Sequence, residues 1–334
     1  MVQPNPVPVQ RPAWQLALQN AVRDPAELLR ELALPPSLAG SGPRGLAFPL
    51  RVPRSYVGRM RKGDPHDPLL RQVLITAAEE QRVAGFSADP VGDLRAMTVP
   101  GLLHKYHGRA LLLTTGTCAI HCRYCFRRHF PYQETKAADP GWEAALAYIA
   151  ADPTIAEIIL SGGDPLTLSD PKLAALVSRL ERLPGLKRLR IHTRLPIVLP
   201  ERVTPELVAL LGETRLKSVV VVHANHPQEL DGGQVRQALL ALTATGSSIL
   251  NQTVLLAGIN DQADTLARLS EALFDHGVLP YYLHSLDPVQ GAAHFRVSDQ
   301  EARRIVQSLR RRLPGYLVPR LVREVAGEEA KHPL

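Results

Sequence analysis

Thr115-Gly-Thr-Cys118-Ala-Ile-His-Cys122-Arg-Tyr-Cys125-Phe-Arg-Arg128 decides how this chain is read. The protein's three cysteines all lie in this stretch. The C-x3-C-x2-C spacing can set three thiolates around one iron–sulfur cube and leave a fourth iron without a protein ligand. An iron with an open coordination position points to catalysis rather than electron storage. A disulfide framework is disfavoured by the odd count and the length of the chain. A zinc site is the fairer competitor, with His121 or His129 as a fourth ligand. Structural zinc usually draws two ligand pairs from separate turns, and the sequence has no second pair, so the reading favours a cluster held by Cys118, Cys122 and Cys125.

Composition narrows the setting. At 334 residues and 45% hydrophobic content the chain can bury a large core. No apolar run is long enough to span a bilayer, and Met1-Val-Gln-Pro-Asn-Pro does not read as a signal peptide. Clustered, reduced thiols then place the expected location in the cytoplasm. The net charge of +7 raises nucleic acid as a partner. The basic residues include Arg303, Arg304, Arg310, Arg311 and Arg312, which read as the solvated face of a helix, and aromatic residues are only 5%, too few for stacking platforms.

Outward from the cysteines, β-rich runs alternate with amphipathic stretches. The runs are Ala110–Thr115, Glu157–Ser161, Arg188–Thr193, Lys217–His223, Ser248–Leu256 and Leu279–Ser285. Their Ile, Val and Leu content predicts strands buried on both faces. Trp142, Ala145, Leu146 and Ile149 recur at helical spacing, as do Leu173, Leu176, Val177 and Leu180, and Val235, Ala238, Leu239 and Leu242. Asp170-Pro171 and Thr204-Pro205 read as helix starts, and Ser298 with Glu301 as a capping box. Six βα units predict a parallel sheet, either a curved partial barrel or an open doubly wound sheet. The cysteines follow its first strand, at the functional end of either design. Before residue 108 the expectation is a proline-rich helical appendage, with helical stretches at Ala13–Leu32 and Pro68–Val83 and no catalytic motif ahead of Lys105. The chain thus divides into 1–108, a core at 109–313, and an extended tail at 314–334.

The stretch from Leu111 to Tyr132 resembles radical S-adenosylmethionine enzymes of the lysine 2,3-aminomutase family, and within it the branch that serves modification of elongation factor P. Ser161-Gly-Gly-Asp-Pro165, His223-Ala-Asn-His-Pro-Gln228, Asn251-Gln-Thr-Val-Leu-Leu256, Pro280-Tyr-Tyr-Leu-His284, Leu286-Asp-Pro-Val-Gln-Gly-Ala-Ala-His-Phe295 and Gly315-Tyr-Leu-Val-Pro319 match in order. The resemblance implies a partial (β/α)6 barrel of α/β class, a 4Fe–4S cluster, S-adenosylmethionine and pyridoxal phosphate. It implies that Ser161, Gly162, Gly163 and Asp164 contact the methionine amino group, with Asp where the wider family carries Glu. His223 and Gln252 match positions near the nucleoside, and His284 is carried over as a further cofactor-binding residue.

By the same resemblance, Lys331 is the lysine that forms the pyridoxal phosphate Schiff base. Arg109 is the phosphate-binding arginine, and Tyr106 and Lys105 touch that cofactor. Arg127 takes the substrate carboxylate, and Asp287 and Glu324 hold its distal ammonium. The chain departs from the free-lysine enzymes in three places: Lys105 for arginine, Glu324 for aspartate, and Glu328-Glu329-Ala330 for glycines. The implied reaction converts L-lysine to (R)-β-lysine, with an external electron donor and a ligase that joins the product to elongation factor P. The competing readings are a free-lysine aminomutase, a radical enzyme without pyridoxal phosphate, and a metal-binding module that contacts RNA.

Overall fold

The computed structural model describes residues 11–40, 48–134 and 142–334. The signal-peptide reading of the first six residues lies outside them. Each expected run forms a strand: β3 (Arg109–Thr115), β4 (Glu157–Gly162), β5 (Arg188–Thr193), β6 (Lys217–Val222), β7 (Ser248–Val254) and β8 (Leu279–His284). Two strands precede them, β1 (Met97–Val99) and β2 (Leu102–Tyr106), and two follow, β9 (Arg320–Arg323) and β10 (His332–Pro333). Pairing follows sequence order from β1 to β10. Strands β3 to β9 are mutually parallel, while β1, β2 and β10 run antiparallel to their neighbours.

An order without reversal has no topological switch point, so the sheet is singly wound and curved rather than doubly wound. It stays open, because β1 and β10 are not paired with each other. Helices Glu143–Ala151, Asp170–Glu181, Pro205–Glu213, Gly233–Ala244, Ala263–Asp275 and Asp299–Arg312 carry the crossovers. Thr204 caps its helix through Leu207 N at 3.1 Å, and Ser298 through Glu301 N at 3.2 Å. The reciprocal half of the Ser298 box is not made, since Glu301 pairs with Arg304 instead. The Asp170 helix begins one residue earlier than its Asp-Pro signal, with Ser169 as the cap.

Two expectations change. Burial on both faces holds for β4, whose residues are all buried, but not throughout β3 or β5. Ala110, Leu112, Ile158, Leu160, Leu189 and Ile191 point under the helices and are fully buried. The alternate residues Arg109, Leu111, Ile159, Ser161, Arg190 and His192 face a cavity, as the two-residue period of a strand requires. The stretch 68–83 is not one helix. It makes a turn at Pro68–Arg71 and another at Ala77–Glu80, because the Gln72 carbonyl accepts from Arg123 N at 2.8 Å in the cysteine loop instead of continuing a helix. Residues 13–32 likewise split at Asp24-Pro25, where Asp24 caps a second helix through Ala26 N at 3.0 Å.

The sheet continues on both sides of residues 109–313 through β2 and β9. One apolar core runs from Trp14 to Leu321. Trp14 lies 4.7 Å beneath the buried Arg202 guanidinium, which Asp170 holds at 2.8 Å. The arginines of the 299–312 helix face solvent. Among the described residues no helix is long and apolar enough to cross a membrane.

The β4 turn fixes where the cysteine loop lies. Gly162 adopts a φ of +121°, a region that side chains avoid. A Cβ on Gly163 would stand 2.3 Å from Thr117 O. The glycines thus let this turn press against residues 115–117, with Gly163 N donating to Thr115 O at 2.7 Å and Asp164 N to Thr117 O at 2.8 Å. Gly163→Ala is expected to lower unfolding stability by about 1–3 kcal/mol. Gly185→Ala, where a Cβ meets nothing within 4 Å, should stay within about 0.5 kcal/mol. Urea denaturation of both variants checks the difference.

Candidate active site

The loop after β3 carries Cys118, Cys122 and Cys125 as free thiols on the wall of one cavity of about 460 Å³. Burial pushes the Cys118 thiol well above its ordinary pKa and Cys125 up to about 11. A metal bound here must therefore displace protons. The loop is held from outside by His121 N donating to Arg51 O at 3.0 Å and Arg123 N to Gln72 O at 2.8 Å. His121 Nδ1 lies 2.7 Å from Pro49 O, and His129 Nε2 lies 3.1 Å from Gln290 O. The two imidazoles that could have completed a zinc set thus hold backbone carbonyls. Among the described residues no three His, Cys, Asp or Glu side chains converge on one ion. A cluster does not need such convergence, because each thiolate takes a different iron.

Buried guanidinium groups surround this loop. Arg194 reaches Cys122 Sγ, and Glu229 at 2.8 Å and Gln72 Oε1 at 2.7 Å fix it there. Glu79 clamps Arg123 at 2.5 Å and Arg128 at 2.6 Å. Such a collar suits an anionic thiolate cluster, since buried charge is tolerated only against its opposite.

Ser161-Gly162-Gly163-Asp164 lies beside the cysteines and lines the same cavity. Gly162 and Gly163 also pack against the backbone of Thr115 and Thr117. Asp164 is buried and already bonded, accepting from Thr193 Oγ1 at 2.7 Å and Arg194 N at 2.6 Å. Burial raises its pKa to about 6 despite these donors.

The opposite wall is a chain of alternating charges. Lys331 Nζ lies 2.6 Å from Glu324 Oε2, and Glu324 Oε1 lies 2.8 Å from Lys105 Nζ. Lys105 Nζ then reaches Asp93 Oδ1 at 2.6 Å, Asp93 Oδ2 takes Arg127 Nε at 2.7 Å, and Arg127 donates to Ser161 Oγ at 2.9 Å. The β9–β10 register explains the first link. His332 pairs with Arg323 and Pro333 with Val322, so Lys331 falls directly across from Glu324. Burial alone would raise the carboxylate pKa values. The cations overcome it, holding Glu324 down at about 2 and Asp93 below its usual range.

Several cavity groups have no partner. Asp287 turns a buried Oδ1 and His284 a buried Nε2 into the cavity, both without a hydrogen bond among the described residues. Burial, reinforced by Glu324, lifts the Asp287 pKa to about 7, and burial brings His284 down to about 3. Arg109 stacks 4.6 Å over Tyr106 and makes no ion pair among the described residues. His223 bonds Asn225 Oδ1 at 3.2 Å and, by burial, falls to about 4. Gln252 lines the wall beside it. An unpaired guanidinium and an orphan carboxyl in a roomy cavity fit a phosphate and an ammonium respectively.

Every residue expected from the sequence therefore lines this cavity, with Asp164 and Glu324 already bonded within the protein. Sequence reasoning missed Glu79, Asp93, Arg194 and Glu229. Glu79 had a readable signal, the box Thr76-Ala-Ala-Glu79, which is formed. Asp93 had none; it lies ahead of Lys105, in a stretch whose sequence carries no catalytic motif, and it reaches the site through Lys105 and Arg127.

An open parallel α/β sheet with a three-thiol loop at its carboxyl end is the design of a radical S-adenosylmethionine enzyme. A family model described as a 4Fe-4S single cluster domain matches residues 107–193. An L-lysine 2,3-aminomutase of Escherichia coli is 53% identical over 327 residues, covering 97% of this chain and 95% of that protein. Another of Haemophilus influenzae is 50% identical, covering 95% and 94%. One of Clostridium subterminale is 35% identical over 84% of this chain and 67% of its own length. The chain belongs to the L-lysine 2,3-aminomutase family and is an isomerase that works with a 4Fe–4S cluster, S-adenosylmethionine and pyridoxal phosphate.

Asp287 gives a signed pH test. Its folded pKa lies above the unfolded value, so its burial costs nothing below about pH 3.8 and costs most above about pH 7. Asp287→Asn should therefore raise the unfolding midpoint of the cofactor-free protein at pH 8 and lose that advantage by pH 4. Calorimetric melts at the two pH values check it.

Proposed function

We propose that this protein converts L-lysine to (R)-β-lysine for attachment to elongation factor P. The observation that carries the substrate is the orphan Oδ1 of Asp287 in a wall whose other acids are already paired. A carboxyl held at a pKa of about 7 ionises readily once a cation arrives. Lysine brings one at the end of a long chain, and Arg127 offers its carboxylate a fork at the other end.

When bound, the cluster and S-adenosylmethionine supply the radical that takes a hydrogen atom from the β-carbon, and pyridoxal phosphate carries the migrating nitrogen. The residues of the chain do the positioning. Cys118, Cys122 and Cys125 would hold three irons. Lys331 would tether pyridoxal phosphate, with Arg109 at its phosphate and Tyr106 and His284 beside it. Arg127, kept in orientation by Asp93 and Ser161, would receive the substrate carboxylate. His223, Gln252 and the Ser161–Asp164 turn would border S-adenosylmethionine, with Asp164 acting through Arg194 and Thr193. The cavity walls keep water from the radical.

The elongation-factor branch is supported by two departures that touch each other. Lys105 stands for arginine and Glu324 for aspartate, and they pair at 2.8 Å. Lysine lacks the fork and glutamate adds a methylene of reach, and in this chain the two meet as an ion pair. A low-potential electron donor and a ligase for the product complete the proposed setting.

Anaerobically loaded protein should turn L-lysine into β-lysine of R configuration, read by mass spectrometry and chiral chromatography. L-norleucine, which has the chain without the ammonium, should not react. An S product would remove the elongation-factor assignment, and norleucine turnover would remove the role of Asp287. Lys331→Ala should purify without pyridoxal phosphate absorbance.

A further inference from the structure

His192 is a cavity residue that neither the cysteine motif nor the resemblance singled out. It sits on β5, on the concave side with Arg190, and lines the cavity. Its Nε2 is buried and has no hydrogen-bond partner among the described residues, a costly state for a polar atom unless a ligand completes it. The register locates it. Leu113 pairs with Ser161, and Leu160 with Ile191, so Ser161 and His192 stand side by side on neighbouring strands about 4.8 Å apart. Ser161 Oγ is the atom that Arg127 holds at 2.9 Å. Arg109 lies four residues further down β3 from Leu113, about 13 Å along the strand. His192 therefore shares the Arg127 end of the cavity and not the Arg109 end.

We propose that His192 is a substrate-contacting residue whose neutral imidazole donates its Nε2–H to the carboxylate of the amino acid bound at Arg127. Burial and the charges of Arg190, Lys331 and Arg127 keep the ring neutral. The same cations favour an anion as its partner. A neutral donor adds a hydrogen bond to that anion without adding another buried charge beside Arg127. The role rests on the lysine reading above and goes beyond it by naming a second carboxylate contact.

The test uses the holoenzyme and His192→Gln and His192→Ala variants. Binding of L-lysine and of L-lysinamide, whose carboxylate is capped, is measured by calorimetry alongside KM and kcat for lysine. His192→Ala should retain the iron, sulfide and pyridoxal phosphate of the wild type. It should weaken lysine binding by about ten- to a hundredfold, the loss expected for a hydrogen bond to a charged group, and should raise KM more than it lowers kcat. The preference for lysine over lysinamide should narrow by a similar factor, and His192→Gln, which keeps an N–H donor, should recover part of it. Unchanged lysine binding would overturn the inference while the lysine reading stands. Loss of pyridoxal phosphate from the variant would also overturn it and assign the imidazole to the cofactor. A wild-type enzyme that neither binds nor converts lysine would remove the reading of the function, and this inference with it.

Discussion

Charges of alternating sign, Lys331, Glu324, Lys105, Asp93 and Arg127, run along one wall of the cavity at separations of 2.6 to 2.8 Å. None could be buried alone, since an unpaired ion in a protein interior is strongly destabilising. Each therefore fixes its neighbours. The chain draws on four separate segments: the tail hairpin, β2, the stretch ahead of β1, and the cysteine loop. A constraint of this kind tells the last residues of the protein where the first strands are. Breaking it at Asp93 would leave Arg127 without a carboxylate, a loss of about 3–5 kcal/mol for one partner of a buried pair, while Lys105 would keep Glu324 at 2.8 Å.

The same wall explains why the cavity discriminates. Its paired acids are spent on its own cations, so they present no free charge to a ligand. Asp287 is the exception, and it lies where Glu324 raises its pKa further. The site thus holds one latent anion rather than a general acidic patch. At the thiol loop, Arg194 reaches Cys122 and is fixed by Glu229, while Glu79 holds Arg123 and Arg128 of the loop itself. The two ends of the cavity have different charge states and suit different occupants, and the Ser161–Asp164 turn stands between them.

The parallel strands were legible because β-rich apolar runs and helical spacing are local signals, and all six runs form strands. The cysteine spacing was legible for the same reason. The tail was read as extended, but β9 enters the sheet beside β8 and β10 folds back on it. Such pairing depends on register between distant segments, which a four-residue strand does not announce. The β1–β2 hairpin was hidden by its short strands. Gln72 reads as helix interior in the sequence because its backbone partner, Arg123, lies fifty-one residues on. Asp93 carried no signal, since an aspartate in a polar loop is ordinary until Arg127 and Lys105 stand beside it.

Hydrogen exchange across residues 320–334, in wild type and in Glu324→Gln, tests the charge chain most directly. If that chain holds the tail hairpin against the cavity, the variant loses protection in β9 and β10 while the amides of β3 to β8 keep theirs. Equal protection in both proteins would mean that the hairpin is held by its backbone pairing alone, and would contradict the account.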